Sequence, residues 1–362
     1  MDTTVHGGLN YTELKQLGLA PADILDFSAN INPLGTAPGV LDAIRQVDPA
    51  AYPDPDCLQL RTALGAHLGL TPEHILVGNG ATELIHLLAR ACLQPGARAV
   101  IFAPAFGEYE AACHIQGVAP AFVSTRPGSA FRWDLRAALD LLMEIQPALV
   151  FLGNPNNPTG AYLSEDSVTQ LAAAVQQHGL LVLDEAYLSF VDRRWDSRRL
   201  LQRENVVLLR SMTKDHALAG LRLGYLLAAP EVRARIGAFA YSWSVNSLAQ
   251  VAGIAALENL QHVVMGREAA CAGREFLHRE LHRMGFSCTS SSANFLLVTV
   301  GDARALRRIL LLEHGLCVRD CTSFGLPEHI RLGVRVLADC RRLLRALEDV
   351  QAAAPGGACN AS

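Results

Sequence analysis

The sequence predicts an α/β fold, with a mostly parallel central sheet in a large domain and a smaller α+β domain after it. Short apolar runs alternate with helical patterns through the first two-thirds of the chain, which is typical of a parallel sheet wrapped by helices. These runs lie at residues 74–77, 97–103, 148–152, 180–183, 206–209 and 221–228. Beyond about residue 247 the pattern changes to long helices, apolar runs at 294–300 and 316–318, and a last helix from about residue 339.

This change of pattern divides the 362-residue chain, which is long enough for two hydrophobic cores. We expect an N-terminal arm over residues 1–35 that packs near the small domain. A large domain is expected over 36–246 and a small C-terminal domain over 247–351. The tail at 352–362, rich in Ala and Gly, is expected to be disordered.

Composition excludes several classes of function. The formal net charge is −4 and the basic residues are scattered, so we expect no nucleic-acid partner. Nine cysteines without regular spacing favour a reducing compartment and predict neither a disulfide framework nor a metal site. The apolar runs are too short for a bilayer and no signal peptide is evident, so we expect a cytoplasmic protein without membrane contact.

Polar or turn-forming residues follow almost every predicted strand. They are Asn79-Gly80, Pro104, Asn154, Asp184 and Ser211. Ligands bind at the carboxyl ends of strands in open α/β sheets, so these distant segments are expected to form one site.

Residues 211–225 (SMTKDHALAGLRLGY) carry the strongest chemical signal. They combine the amine of Lys214, the hydroxyl of Ser211 and the guanidinium of Arg222 in one loop between two strands. Burial or a nearby cation lowers the pKa of a lysine enough for it to attack an aldehyde, and an arginine can hold a phosphate with two hydrogen bonds. Taken alone, Lys214 would more often be an exposed lysine beside a structural arginine, and the surrounding motif reverses this preference.

The segment 78–83 (GNGATE) follows a strand and opens a helix. Free N–H groups at a helix start, here near Ala81 and Thr82, form a cup for phosphate. A plain Gly-rich turn is the alternative.

A carboxylate follows the strand at 180–183. Asp184 could keep a pyridine nitrogen protonated, which makes the ring an electron sink, or it could simply cap a helix. The amide of Asn157 and the phenol of Tyr187 could both bind a ring hydroxyl oxygen. Phe106 could stack on such a ring, although an isolated Phe is more often part of a core.

Together, NPNNPTG at 154–160, LDEAY at 183–187 and SMTK with GLRLGY at 211–225 resemble the fold-type I, class I/II aminotransferases over essentially the whole chain. The resemblance implies a pyridoxal 5′-phosphate-dependent enzyme of the aspartate aminotransferase-like fold, acting as a homodimer. Lys214 would be the Schiff-base lysine and proton shuttle. The cofactor would be held by Ala81, Thr82, Phe106, Asn157, Asp184, Tyr187, Ser211 and Arg222, with Tyr52 reaching the cofactor phosphate of the neighbouring subunit. Tyr52 could otherwise be a turn aromatic.

Two branches of this family resemble the chain most, and both act on phosphorylated substrates. HGG at 6–8, LDFSANINPLG at 25–35 and WSVN at 243–246 favour L-threonine-O-3-phosphate decarboxylase of cobalamin biosynthesis, with (R)-1-amino-2-propanol O-2-phosphate as product. The expected substrate-binding residues are His6, Gly7, Asn32, Arg319 and Arg331.

The second branch is histidinol-phosphate aminotransferase, which would transfer an amino group from glutamate to imidazole-acetol phosphate. Asp215-His216 departs from the bulky aromatic expected after the lysine in the decarboxylase branch. A third alternative is a ligand-sensing protein that retains this fold without catalysis. Such proteins usually carry a DNA-binding module, for which this chain has no room before Ala81.

Overall fold

The structure is a computed structural model that describes residues 6–353. The first five residues of the expected arm and residues 354–362 of the expected disordered tail lie outside it. The described residues form twelve α-helices: α1 (Tyr11–Gln16), α2 (Val40–Arg45), α3 (Leu58–Leu68), α4 (Gly80–Cys92), α5 (Glu108–Ile115), α6 (Leu135–Ile145), α7 (Glu165–Val175), α8 (Pro230–Gly237), α9 (Ser247–Leu257), α10 (Leu260–Arg283), α11 (Ala303–His314) and α12 (Leu337–Ala353). None of these helices is long and apolar enough to cross a membrane.

Thirteen strands form three sheets within the same residues. The strands are β1 (Leu25–Asp26), β2 (Ile75–Asn79), β3 (Ala99–Ala103), β4 (Ala121–Ser124), β5 (Leu149–Gly153), β6 (Leu180–Asp184), β7 (Val206–Ser211), β8 (Leu223–Leu227), β9 (Ser287–Cys288), β10 (Phe295–Thr299), β11 (Leu316–Cys317), β12 (Arg319–Asp320) and β13 (His329–Gly333). The largest sheet has seven strands in the order β2-β8-β7-β6-β5-β3-β4. All its pairs are parallel except those of β8, which runs antiparallel to both β2 and β7. The mostly parallel central sheet predicted from the sequence is confirmed.

The central strands read as continuous apolar runs because helices cover both faces of this sheet. In β6, Leu181 and Leu183 pack in the core on one face, and Leu180 and Val182 pack in the core on the other. All four side chains are buried. Side chains alternate across a strand, and each fully buried Leu or Val contributes about 1.5–3 kcal/mol to stability. Successive side chains therefore point to opposite faces, and both faces are buried, so the strand is apolar throughout.

A second unit is built around the four-stranded antiparallel sheet β12-β13-β10-β9. Its core includes side chains from α10, α11 and α12 and from the sheet itself. The N-terminal segment joins this unit, since β1 pairs in parallel with β11 and Phe27 is fully buried in the same core.

Helix α9 shows where the two units separate. Asn246 caps it by accepting a 2.8 Å hydrogen bond from the N–H of Ala249. Three of its side chains are buried in the core of the large sheet: Ala249, Ala252 and Ala256. The boundary expected from the sequence, at residue 246, would instead assign this helix to the C-terminal domain. We therefore propose the domain boundary at residues 258–259, between α9 and α10.

The carboxyl ends of the parallel strands form one edge of the large sheet. Gly153, Asp184 and Ser211 end three adjacent strands there. The antiparallel β8 begins at the same edge, where Gly224 is paired with both Gly78 and Ser211. Residues far apart in sequence are thereby brought to one place.

Candidate active site

A cavity opens at this edge of the sheet. It is lined by Ala81, Thr82, Phe106, Tyr109, Gly153, Pro155, Asn157, Asp184, Ala186, Tyr187, Ser211, Thr213, Lys214 and Arg222. The structure thus brings together Lys214 and every residue predicted to hold the cofactor within one subunit. Tyr52 does not line the cavity.

Asp184 supplies a buried carboxylate at the end of β6. Its Oδ2 accepts a 2.6 Å hydrogen bond from the Tyr109 hydroxyl, and its Oδ1 accepts one of 2.9 Å from the N–H of Ala186. Burial raises the pKa of this carboxyl, while the bonds from Tyr109 and Ala186 oppose the increase. A cationic group in the cavity would restore the ionised form, which is what a protonated ring nitrogen provides.

Tyr109 was missed by the sequence reasoning, although it lies three residues after Phe106. Its ring stacks on Phe151 with centroids 4.8 Å apart and planes 1° apart. Burial, followed by the neighbouring Asp184, raises its pKa well above the usual value, so the phenol stays a hydrogen-bond donor. Phe106 precedes α5, and the turn that begins the helix brings the two rings together: the N–H of Tyr109 donates to the carbonyl of Phe106 at 3.2 Å, and the ring centroids lie 5.9 Å apart.

Lys214 lies in the turn after β7 and is half-buried. Its side chain makes no hydrogen bond or ion pair with any residue in the range 6–353. Its carbonyl is fixed, because it accepts a 2.8 Å hydrogen bond from the N–H of Asn32. The backbone is thus held while the amine remains available within the cavity.

The start of α4 and the loop after β7 surround the part of the cavity suited to a phosphate. No side chain caps α4, which leaves N–H groups in its first turn without side-chain partners. The Ser211 and Thr213 hydroxyls lie 2.6 Å apart on the neighbouring loop. Arg222 bonds the carbonyl of Ala219 through Nη1 alone at 3.2 Å. Backbone amides, hydroxyls and a guanidinium thus converge, a donor set that fits a phosphate.

Two glycines allow these donors to approach one another. Gly80 has φ +73°, and a Cβ there would lie 2.6 Å from Nη2 of Arg222. A Cβ on Gly224 would lie 2.6 Å from the backbone nitrogen of Ala81. A larger residue at either position would displace part of the phosphate cup.

The polar wall opposite Asp184 includes Tyr187 and Asn157. The Tyr187 hydroxyl accepts a 3.3 Å hydrogen bond from Nδ2 of Asn30, and its ring packs edge-on against Phe295 at 5.0 Å. Oδ1 of Asn157 accepts a hydrogen bond from Nη1 of Arg331. Asn30 is buried and was not predicted as a site residue.

Arg331 reaches this wall from the small sheet through its bond to Asn157, but neither it nor its neighbour Arg319 lines the cavity itself. Arg319 on β12 and Arg331 on β13 are direct cross-strand partners, and both are buried. Nη2 of Arg331 donates to the carbonyl of Ser28 at 2.8 Å, and Nη2 of Arg319 donates to Oγ of Ser323 at 2.6 Å. Burial, with the charge of Arg331, lowers the pKa of Arg319. Like charges directly opposite each other are unfavourable, so this pair favours an anion between them.

The N-terminal arm passes over the cavity. Nε2 of His6 lies 2.8 Å from Oε1 of Glu108, and its ring is 5.5 Å from that of Phe106. A Cβ on Gly7 would lie 2.2 Å from the Ser28 carbonyl oxygen and 2.9 Å from Nη2 of Arg331. Only glycine permits this close approach.

Two predicted site residues, Asn32 and Tyr52, do not line the cavity. Nδ2 of Asn32 donates to the carbonyl of Asp215 at 2.8 Å, so this residue contacts the backbone of the lysine loop and not the cavity. Tyr52 is 81% exposed and its ring lies 4.9 Å from that of Trp243.

Comparisons with known proteins concern the family and the fold. The family model for aminotransferase class I and II matches residues 22–347. A histidinol-phosphate aminotransferase from Moorella thermoacetica is 34% identical over 344 residues, covering 93% of this chain and 88% of the relative. A crystal structure of histidinol-phosphate aminotransferase from Sinorhizobium meliloti, in complex with pyridoxal-5′-phosphate, has a TM-score of 0.86 and 28% identity, covering 95% of this chain and 94% of that one.

The leading functional prediction, decarboxylation of L-threonine O-3-phosphate, is wrong by these comparisons. A structure of that decarboxylase from Porphyromonas gingivalis is similar at a TM-score of 0.78 and 26% identity, covering 90% of this chain and 98% of that one. The relatives matched by sequence carry the name of the alternative.

The segments that suggested the decarboxylase make hydrogen bonds within the chain. Asn246 caps a helix, Asn32 bonds the lysine loop, and the N–H of Gly8 donates to Oγ of Ser28 at 2.8 Å.

Proposed function

The chain belongs to the class I and II aminotransferases, whose cofactor is pyridoxal 5′-phosphate, and we propose that it transfers an amino group between histidinol phosphate and a keto acid. The observation that carries the proposal is the cavity containing Lys214, whose side chain has no hydrogen-bond partner among residues 6–353. Arg331 bonds the lining residue Asn157, and Arg319 is its cross-strand partner. The names of the relatives matched by sequence favour histidinol phosphate as the substrate.

Asp184 is proposed to hold the cofactor's ring nitrogen in its protonated form. When bound, the protonated pyridine ring withdraws electrons from the bond that breaks at the substrate's α-carbon. Tyr109 orients the carboxylate through its 2.6 Å hydrogen bond and supports the ionised form.

Lys214 is proposed to bind the cofactor and to move the proton at the substrate's α-carbon. A positioned base of this kind contributes about 10²–10⁴-fold to rate. The proposal is supported by the half-buried amine without a partner among the described residues and by the bond from Asn32 that fixes its carbonyl.

The cofactor phosphate is proposed to lie among Ser211, Arg222 and the first turn of α4, which contains Ala81 and Thr82. Phe106 is proposed to contact the ring face, and Asn157 and Tyr187 the ring hydroxyl. These side chains all line the cavity.

Arg331 and Arg319 are proposed to hold the anionic groups of the substrate. Two buried guanidiniums side by side suit a phosphate dianion, whose oxygens accept several charge-assisted hydrogen bonds. His6 and Gly7 are proposed to close the site from the arm. Asn32 is proposed to act indirectly, through the lysine loop.

We also propose that the protein acts as a homodimer in which Tyr52 reaches the cofactor phosphate of the partner subunit. The proposal follows the family resemblance and is supported by the exposure of Tyr52 and Trp243, residues that are 81% and 50% exposed. Sedimentation gives the mass of the assembly. The proposal requires a dimer, together with weaker cofactor affinity in Tyr52→Phe.

The function is tested by incubating the cofactor-loaded protein with histidinol phosphate and 2-oxoglutarate and measuring glutamate. A parallel reaction contains L-threonine O-3-phosphate without a keto acid, and CO₂ is measured. Glutamate formation that requires both substrates supports the proposal. Release of CO₂ without glutamate formation would overturn it.

A further inference from the structure

Glu108 is a buried carboxylate at the edge of the candidate active site. It lies in the first turn of α5, two residues after Phe106, which lines the cavity. A carboxylate removed from water needs partners for both of its oxygens, and two histidines supply them here.

The two histidines come from different parts of the chain. Nε2 of His86, on α4, lies 2.9 Å from Oε2 of Glu108, and Nε2 of His6, on the N-terminal arm, lies 2.8 Å from Oε1. A carboxylate only accepts hydrogen bonds, so each histidine donates from a protonated Nε2. With one oxygen held by His86, the other is presented to the arm.

The same arm is fastened on its other side by Gly8. The N–H of Gly8 donates to Oγ of Ser28 at 2.8 Å, and this hydroxyl in turn donates to Oδ1 of Asp26 at 2.6 Å. Ser28 is buried and follows β1, the strand that joins the N-terminal segment to the small unit. Residues 6–8 therefore bridge the two units, because His6 contacts the large one and Gly8 the small one.

This bridge crosses the candidate active site. On one side, the ring of His6 lies 5.5 Å from that of Phe106, which lines the cavity. On the other side, a Cβ on Gly7 would lie 2.9 Å from Nη2 of Arg331, whose Nη1 bonds the lining residue Asn157. A substrate anion bound by Arg331 would therefore lie next to residues 6 and 7.

The two fastenings of the arm differ in their exposure to water. The His6 side chain is 46% exposed, whereas Ser28 is 2% exposed. A contact that water reaches can open without unfolding of the surrounding structure. The arm is therefore expected to separate from the large unit at the contact between His6 and Glu108.

We propose that Glu108 is a positioning residue that fastens the N-terminal arm over the active site through His6, and that it strengthens substrate binding by keeping the arm closed. His86 orients the carboxylate for this contact. The effect on substrate binding rests on the proposed function, whereas the fastening of the arm does not.

The fastening is measured by hydrogen–deuterium exchange of the cofactor-loaded protein, followed in peptic peptides that contain the Gly8 amide. Glu108→Gln is compared with Glu110→Gln, because Glu110 lies in the same turn of α5 but is exposed. We expect Glu108→Gln to raise the exchange rate by about tenfold or more, because a hydrogen bond to a charged group is lost. Glu110→Gln should leave the rate unchanged.

A double-mutant cycle with His6→Ala separates positioning from a general structural role. If Glu108 acts through His6, Glu108→Gln should add nothing to the faster exchange of His6→Ala, whereas a general loss of stability would add its own effect. His6→Ala breaks the same contact from an exposed side chain, so it should raise the exchange rate even if Glu108→Gln fails to fold.

In the amino-transfer assay, Glu108→Gln should raise the KM for histidinol phosphate about tenfold with little change in kcat, which is the pattern of lost substrate binding. The exchange measurement uses no substrate, so a failure of the proposed amino transfer would not alter its result. Unchanged exchange in Glu108→Gln, equal exchange in the two glutamate variants, or additive effects in the cycle would overturn the fastening. Faster exchange with an unchanged KM would overturn the effect on substrate binding.

Discussion

The Tyr109 hydroxyl donates a 2.6 Å hydrogen bond to Oδ2 of Asp184 at the floor of the cavity. This bond favours the ionised carboxylate, whereas burial raises the pKa of Asp184. The protonation state of Asp184 therefore depends on an uncharged neighbour whose hydroxyl can be removed while its ring is retained.

Tyr109→Phe should move the acidic limb of the kcat/KM profile to higher pH. Loss of the donor raises the carboxyl pKa, and activity falls as the pH decreases through that pKa, so the fall begins earlier. A hydrogen bond to a charged group contributes about 1.5–3 kcal/mol, which corresponds to about one pH unit or more. The control is Tyr11→Phe, since Tyr11 is 70% exposed. An unchanged profile in Tyr109→Phe would show that Asp184 does not control the reaction.

Lys214→Ala should lower the rate by at least about 10²–10⁴-fold, because it removes the proposed proton-transfer group. Lys15→Ala is the matched control, because Lys15 is the only other lysine in the chain. Circular dichroism should be the same in both variants. Borohydride reduction of the cofactor-loaded protein, followed by peptide mass spectrometry, should place the cofactor on Lys214, and its attachment to Lys15 would refute the assignment.

Gly80→Ala should weaken cofactor binding, because the new Cβ would lie 2.6 Å from Nη2 of Arg222. The positive φ of +73° adds about 1–2 kcal/mol of backbone strain. Gly96→Ala is a suitable control, since Gly96 has φ +86° but no atom within 4 Å of its Cβ position. Both variants should lose thermal stability, but only Gly80→Ala should need more cofactor for saturation. Equal cofactor affinities would argue against a phosphate cup at this position.

Arg331→Gln should lower kcat/KM for the phosphorylated substrate by about 10- to 100-fold, the effect of losing hydrogen bonds to a charged group. Inorganic phosphate should also inhibit this variant less than the wild type. Arg136→Gln is the control, because the Arg136 side chain is 90% exposed. If both variants retain wild-type kinetics, the anionic group binds elsewhere.

The sequence was sufficient to predict the sheet because its central strands are buried on both faces. Val, Leu and Ile runs such as 180–183 admit few other interpretations. The sequence also indicated that Lys214, Asp184 and Ser211 lie close together, for a related reason: Asp184 ends β6, Ser211 ends β7, Lys214 follows Ser211 in the next turn, and these two strand ends are adjacent at one edge.

The contacts of other residues could not be predicted because they depend on packing between distant segments. Asn32 was predicted to bind the substrate and bonds the backbone of Asp215 instead, whereas Asn30, which was not predicted, bonds Tyr187. Thr213 lies 2.6 Å from Ser211 through a loop conformation that composition does not encode.

The predicted reaction, decarboxylation, was wrong for another reason. Which reaction occurs depends on which bond at the substrate's α-carbon stands perpendicular to the cofactor ring, and the motifs identified in the sequence do not specify that angle.

The most direct test of the proposed amino transfer is a single-turnover experiment on the cofactor-loaded protein with excess histidinol phosphate and no keto acid. An aminotransferase must stop after one equivalent of keto product per bound cofactor, because the amino group stays on the cofactor until an acceptor arrives. Addition of 2-oxoglutarate should restart turnover and produce glutamate. Failure to form the keto product, or turnover that continues past one equivalent without an acceptor, would contradict the assignment.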